Sequence, residues 1–349
     1  GWTDVYGAGL EGQSIDVTDV PPGVYWLESV VDPDDKVLEK DIFVDLNEAE
    51  RVGSTDRVNV VAQMDRYRGG FTGDGDWVNA RRYYITRDND LNRIASKVVE
   101  DMPEVNMADG NTLADFVQWG IQNYPADKYV LVLSDHGMGW PGGWSDTDSR
   151  NSGRAPSGVP LSRALGDELY LMELDDALAK IQQTTGLDKF EIIGMDACLM
   201  AHLEVFSALE PYGRYAVASQ ETEPALGWAY AAFLDVLTRN PDMSGADLSR
   251  AIVQTYITDD QRIVDDQARA DLVGRGSFLS LLGGPTAADV ASQLSQDVTL
   301  TAVDLSRIPA LNDAVNQFAY AMQQVDPRVL AKARQYAQSY TSIFGADVP

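Results

Sequence analysis

The sequence predicts an α/β fold: a mainly parallel sheet with helices on both faces, preceded by a small β-rich segment. Three observations predict it. From Asp56 onward, short β-type runs alternate with helical patterns, as in chains built from βαβ units. One run, Tyr129-Val130-Leu131-Val132-Leu133, is continuously apolar, the pattern of a strand buried on both sides. And 349 residues with 44% hydrophobic and 23% charged side chains can bury a sizeable core and are not the composition of a disordered chain.

The elements follow in order. Residues 1–45 read as short β-type runs between turns. Ser14-Ile15-Asp16-Val17 precedes Pro21-Pro22-Gly23, Val24-Tyr25-Trp26-Leu27 follows, and the Asp32–Asp35 turn leads to Lys36-Val37-Leu38-Glu39. A piece this short is not stable alone, so residues 1–50 are taken as a β-rich appendage to a main unit at 51–349. Val58–Ala62 and Arg82–Thr86 are the first strands of that unit. Thr112, with Asp115 three residues on, opens a helix whose Leu113, Phe116, Val117, Gly120, Ile121 and Tyr124 share one face. Leu174, Leu178 and Ile181 mark another. It leads into the strand Phe190–Ile193, a helix expected directly after Cys198, and the strand Arg214–Ala218. The core therefore spans about 56–240. Residues 241–349 read as mostly helical, with one strand at Val298–Val303. Between Met138 and Asp167 lies a glycine-, serine- and aspartate-rich stretch without periodicity, far longer than an ordinary connection.

Charge and composition exclude several classes of function. With 54 acidic and 27 basic side chains the net charge is −27, so repulsion opposes nucleic acid and anionic membranes. No apolar run reaches a membrane span. The single cysteine excludes an internal disulfide framework, and two histidines cannot build a multi-histidine zinc site. Aspartate in excess of glutamate (40 to 14), with only 7 lysines, fits a secreted, calcium-rich or saline setting, and the expected location is secreted or cell-surface. The chain begins Gly1-Trp2-Thr3, without Met or signal peptide, and reads as a processed piece.

Chemistry concentrates at two strand ends. One gives Ser134-Asp135-His136-Gly137 and the other Met195-Asp196-Ala197-Cys198, and in open parallel sheets sites gather at the carboxyl ends of strands. A thiol attacks as thiolate, and a helix beginning at Cys198 would favour that charge. His136 then serves as acid–base partner, with the backbone N–H groups of Gly137 and Cys198 as oxyanion donors. The alternative is a small buried cysteine and a turn histidine. His202, four residues after Cys198, is read as structural.

These blocks resemble the clostripain family of cysteine peptidases: Tyr124–Tyr129, Asp135–Trp140, Asp196–Met200, Ser219–Pro224 with Gly227-Trp228, and Thr301–Leu305. The resemblance implies a caspase-like fold and endopeptidase activity, with His136 and Cys198 as the dyad and peptides or proteins carrying Arg or Lys at the cleavage point as substrates. It places Asp196 in the S1 pocket, where a carboxylate pairs with a guanidinium or ammonium; the alternative is that Asp196 simply caps the helix expected near Cys198. Glu221 and Glu223 are weaker S1 candidates that also read as exposed loop residues. Family behaviour further implies self-cleavage in the 138–167 stretch, where Arg150, Arg154 and Arg163 stand. It also implies calcium for some members, although no cofactor is required for the chemistry. Asp146–Asn151 begins like a calcium loop but has Arg150 at its fifth position, and Asp74 and Asp76 form another acidic turn; both read more simply as solvated loops. Residues 1–45, with Asp4–Ala8, Gln13–Val20 and Pro22–Tyr25, resemble the end of a lysyl-oxidase domain. Tyr6 matches its quinone-forming tyrosine, but the copper histidines are missing, so no oxidase chemistry is expected. The competing function is a non-catalytic secreted adhesion or scaffold protein on a peptidase-like fold.

Overall fold

The computed structural model describes residues 36–66, 71–146, 167–274, 286–295 and 298–336. A four-stranded sheet forms its centre, ordered β4-β7-β8-β9. Here β4 is Val130–Ser134, β7 Phe190–Asp196, β8 Gly213–Ser219 and β9 Leu300–Asp304. The first three run parallel and β9 antiparallel, with Ser134 level with Asp196 and Ser219 level with Leu300. Side chains two apart share a face, which divides the core. On one side Ile193, Met195, Ala216 and Ala218 meet helices α2 (Gly110–Asn123), α3 (Leu171–Thr185) and α4 (Leu203–Leu209) through Leu113, Leu174, Leu178, Ile181 and Phe206. On the other, Ile192 and Val217 meet α1 (Lys36–Val52), α5 (Tyr230–Arg239) and α6 (Gly245–Thr255) through Phe43, Phe233, Leu234, Leu248 and Ile252. Helices thus cover both faces, as the alternating pattern predicts.

Three expectations need correction. The segment Lys36–Glu39 is not a β-type run but the first turn of α1. No Gly or Pro interrupts residues 36–52, and Asp41, Asp45 and Glu48 recur at helical spacing beside the buried Phe43 and Ala49. α1 runs across residue 50 and packs on α5 within the core; the β-type runs expected before it lie outside the described residues. The first two strands do not join the central sheet. β1 (Val61–Met64), β2 (Arg81–Tyr84) and β3 (Lys97–Asp101) form a separate antiparallel sheet, and a cavity of about 900 Å³ lies between β1 and β4. For the same reason β4 is an edge strand rather than one buried on both sides: Val130 is 42% exposed. The remaining elements are β5 (Gly142–Ser145), paired antiparallel with β6 (Glu168–Tyr170), and α7 (Gln261–Val264), α8 (Asp266–Gly274), α9 (Ala287–Leu294), α10 (Ile308–Met322) and α11 (Pro327–Arg334).

Candidate active site

The register of β4 on β7 brings the two strand ends together. Past Ser134, the Asp135 N–H donates to the Asp196 carbonyl at 3.3 Å, so both chains leave the sheet side by side. The Asp135-His136-Gly137 loop is then held from two sides. The His136 N–H donates to Asp135 Oδ1 at 2.6 Å, and the Trp144 N–H of β5 donates to the His136 carbonyl at 2.7 Å. Gly137 bridges to Gly143, and it rests directly on the Cys198 turn, because a Cβ there would collide with the Cys198 carbonyl oxygen. His136 and Cys198 are both half-buried.

The chain after β7 does not enter a helix at Cys198. Residues 197–200 form a turn, and α4 begins at Leu203 with His202 at its cap position. The expected macrodipole therefore does not act on the thiol, and with no helix following Asp196 the cap role for that residue falls as well. A different device serves the sulfur: the Glu223 N–H points at Cys198 Sγ across 3.3 Å. The turn is pinned by Leu199 N–H to the Glu221 carbonyl (3.2 Å) and Ala201 N–H to the Ser219 carbonyl (2.8 Å). Leu199 sits at φ +64°, a conformation that costs a side-chain-bearing residue about 1–2 kcal/mol and that persists where surroundings over-determine it. His202 packs below the histidine loop: a Cβ on Gly139 (φ +76°) would lie 2.6 Å from its Cε1.

Beside the sulfur lies a nest of carboxyls. Asp196 ends β7 and is 5% exposed. Its Oδ2 accepts from the Trp228 N–H (3.0 Å) and the Tyr230 hydroxyl (2.9 Å). Burial pushes its pKa up to about 6, against the pull of those hydrogen bonds. Glu223 hydrogen-bonds the Asp196 carboxyl, and its Oε2 accepts from Trp228 Nε1 (3.1 Å) and the Tyr256 hydroxyl (3.3 Å). Burial first, and Asp196 second, push Glu223 well above the usual carboxylate range. Two acids this close hold a proton between them. Glu221 enters the site through its backbone, whose N–H donates to Thr299 Oγ1 at 2.8 Å. Sequence reasoning noted Gly227-Trp228 as part of a resemblance but missed Tyr230 and Tyr256, and nothing in their spacing marks them out.

A second carboxyl group lies apart. Asp65, Glu104 and Asp146 offer oxygens within 4.8 Å of one another, and Asp146 Oδ2 accepts from the Met107 N–H at 2.7 Å. Burial, then Glu104 and Asp146, push Asp65 up to about 9. Asp146 is the first residue of the calcium-like stretch; its other members, with Arg150, Arg154 and Arg163, lie outside the described residues. The Asp74 turn does not join this group, and Asp74 accepts from Trp77 Nε1 at 3.2 Å.

A family model described as the clostripain family matches residues 31–343. The chain belongs to the clostripain family. Clostripain of Hathewaya histolytica is 28% identical over 202 residues, which are 51% of this chain and 34% of that protein, so the chain spans about a third of its clostripain relative. A secreted C11 cysteine protease of Bacteroides thetaiotaomicron, solved with an irreversible peptide inhibitor, matches with a TM-score of 0.54 at 21% identity, over 80% of this chain and 66% of that one. The architecture is accordingly the caspase-like fold of the C11 proteases. An inactive zymogen C11 protease of Parabacteroides distasonis matches with a TM-score of 0.48 at 18% identity, over 80% of this chain and 60% of that one. A lysyl oxidase model matches residues 1–60, overlapping the start of the clostripain match. Among the described residues no helix is long and apolar enough to cross a membrane.

Proposed function

We propose that this clostripain-family chain is a cysteine endopeptidase that cleaves after Arg or Lys. The observation that carries this reading is the pairing of the Asp196 and Glu223 carboxyls directly beside the Cys198 turn, with the His136 loop seated on that same turn. A guanidinium or ammonium entering there replaces the proton the two acids hold and forms charge-assisted hydrogen bonds in a largely dry environment. Cys198 loses its proton to His136 and attacks the scissile carbonyl, forming the C–S bond. The N–H groups of Gly137 and Cys198 take up the negative oxygen. His136 returns the proton to the leaving amine as the C–N bond breaks, and water then hydrolyses the thioester by the reverse path. The Glu223 N–H stabilises the thiolate in place of a helix terminus.

Self-cleavage at Arg150, Arg154 or Arg163 belongs to the same reading, as does secretion or display at the cell surface. Calcium is not part of the chemistry. The oxygen-only donor set of Asp65, Glu104 and Asp146 suits a hard cation, and these are the residues that would hold one. The test is turnover of fluorogenic peptides ending in Arg, Lys, Asp or Leu, with and without calcium. Arg and Lys turnover that vanishes in Cys198→Ala is expected. Turnover after Asp or Leu alone would remove Asp196 and Glu223 from their roles, and no turnover with any peptide would leave the scaffold reading standing.

A further inference from the structure

The carboxyl nest beside Cys198 continues inward. Gly227 sits at φ +65°, and a Cβ built on it would lie 3.0 Å from Asp196 Oδ2 and 2.6 Å from Asp45 Oδ2. The two carboxylates therefore face each other across one glycine, with no side chain between them. Asp45 comes from α1, far from the catalytic segments in sequence. Behind it stands one guanidinium: Arg262 Nη2 lies 2.8 Å from Asp45 and 3.0 Å from Asp260, and Nη1 lies 3.6 Å from Asp41. Glu48, one turn on from Asp45, is fully buried and accepts from the Gln261 N–H at 3.0 Å. The phenols of Tyr230 and Tyr256 close the other side, on Asp196 and Glu223 respectively.

Among the described residues, six carboxyls thus gather around a single arginine. Such an excess is not held ionised in a dry interior without cations or protons. Arg262 is the resident cation and serves the inner half, Asp41, Asp45, Glu48 and Asp260. The outer half, Asp196 and Glu223, makes no direct ion pair among the described residues; hydrogen bonds and a shared proton hold it, with Arg262 acting on Asp196 from farther off. Asp45 stands at the junction, tied to Arg262 through Oδ1 and facing Asp196 through Oδ2.

We propose that Asp45 is a positioning residue for the S1 pocket, a third carboxyl whose field reaches Asp196 across Gly227 and couples the capture of a substrate Arg or Lys to proton release. This rests on the Arg/Lys reading above. The sign follows from like charges. Burial pushes Asp45 up and the Arg262 guanidinium at 2.8 Å pulls it back down; ionised against that guanidinium, Asp45 makes Asp196 harder to ionise in the free enzyme and adds attraction for the bound cation in the complex.

The experiment is the pH profile of kcat/KM, from pH 5 to 9, for one Arg-ending and one Lys-ending fluorogenic peptide, on the parent and on Asp45→Asn. Expected for Asp45→Asn is an acid limb moved to lower pH, with KM at pH 8 raised about ten-fold and kcat largely kept. Asp45→Glu, which preserves the charge, restores the parent profile. A merely structural role would lower the melting temperature or the active fraction without moving the limb. The second measurement is calorimetry of benzamidine binding to the parent and to Asp45→Asn near pH 6, in buffers of different ionisation enthalpy. The parent is expected to release more protons per benzamidine than Asp45→Asn, because an ionised Asp45 keeps the Asp196–Glu223 pair more fully protonated before binding. An unshifted limb, or equal proton release by the two proteins, overturns the role of Asp45 while leaving Arg/Lys cleavage intact. A parent that cleaves neither peptide overturns the specificity reading itself, and this role with it.

Discussion

Glu48 is the most instructive residue to perturb, because its effect on stability changes with pH. It is fully buried on α1. Burial, reinforced by Asp260, raises it from 4.5 to about 8 in the folded chain, against the weaker pull of Arg262 and the Gln261 N–H. A carboxyl raised on folding contributes its stability in full below the unfolded value, near pH 4.5, and loses it as pH climbs through about 8. Each unit is worth about 1.4 kcal/mol, so the cost of ionising Glu48 in place reaches on the order of 5 kcal/mol by pH 9. Glu48→Gln keeps the shape and the acceptor for Gln261 but cannot ionise. Urea unfolding at pH 5, 7 and 9, in a Cys198→Ala background to prevent self-digestion, measures the difference. The variant is expected to match its parent within about 1 kcal/mol at pH 5 and to exceed it by several at pH 9. Stability curves that stay parallel across that range would refute a buried, proton-holding Glu48.

Three further outcomes follow from the site. Gly137→Ala places a methyl group against the Cys198 carbonyl and is expected to cut kcat at least a hundred-fold, read by peptide turnover, while the melting temperature falls by only a few degrees. Asp196→Asn should lower kcat/KM for Arg peptides by about 10²–10³ yet leave labelling of Cys198 by iodoacetamide in place; equal loss of both would mark a structural role instead. Wild type incubated alone is expected to yield fragments ending at Arg150, Arg154 or Arg163 by mass spectrometry, and Cys198→Ala to remain one chain; an uncut wild type that still cleaves peptides would separate maturation from activity.

The central sheet was legible because its strands are buried and flanked by helices with clear apolar faces: Leu174, Leu178 and Ile181 fall where the period puts them. That the His136 and Cys198 loops leave the sheet side by side was legible because both follow the carboxyl ends of adjacent parallel strands. What stayed hidden depends on partners distant in sequence. α1 carries its polar stripe inward, so Asp41, Asp45 and Glu48 look like a solvated face until Arg262 is seen opposite them. The helix expected at Cys198 starts five residues later, because the chain first hydrogen-bonds to Glu221 and Ser219 and only then becomes free to coil. Asp196 was singled out by the family resemblance, through its place two residues before the cysteine, while its neighbours Tyr230 and Tyr256 come from α5 and from the end of α6, where no local pattern announces them.

The strand that props up the histidine loop also leads straight into the stretch that holds the three arginines. On its near side stand β4 and α2, on its far side β7 and α3, and these are zipped together by five aligned residue pairs in the sheet and by the packing of the two helices. A molecule severed in that stretch would keep both halves gripped by the same interior that folded them. It would travel as two bands under denaturant and as one body without it, its shape outliving the break in its chain.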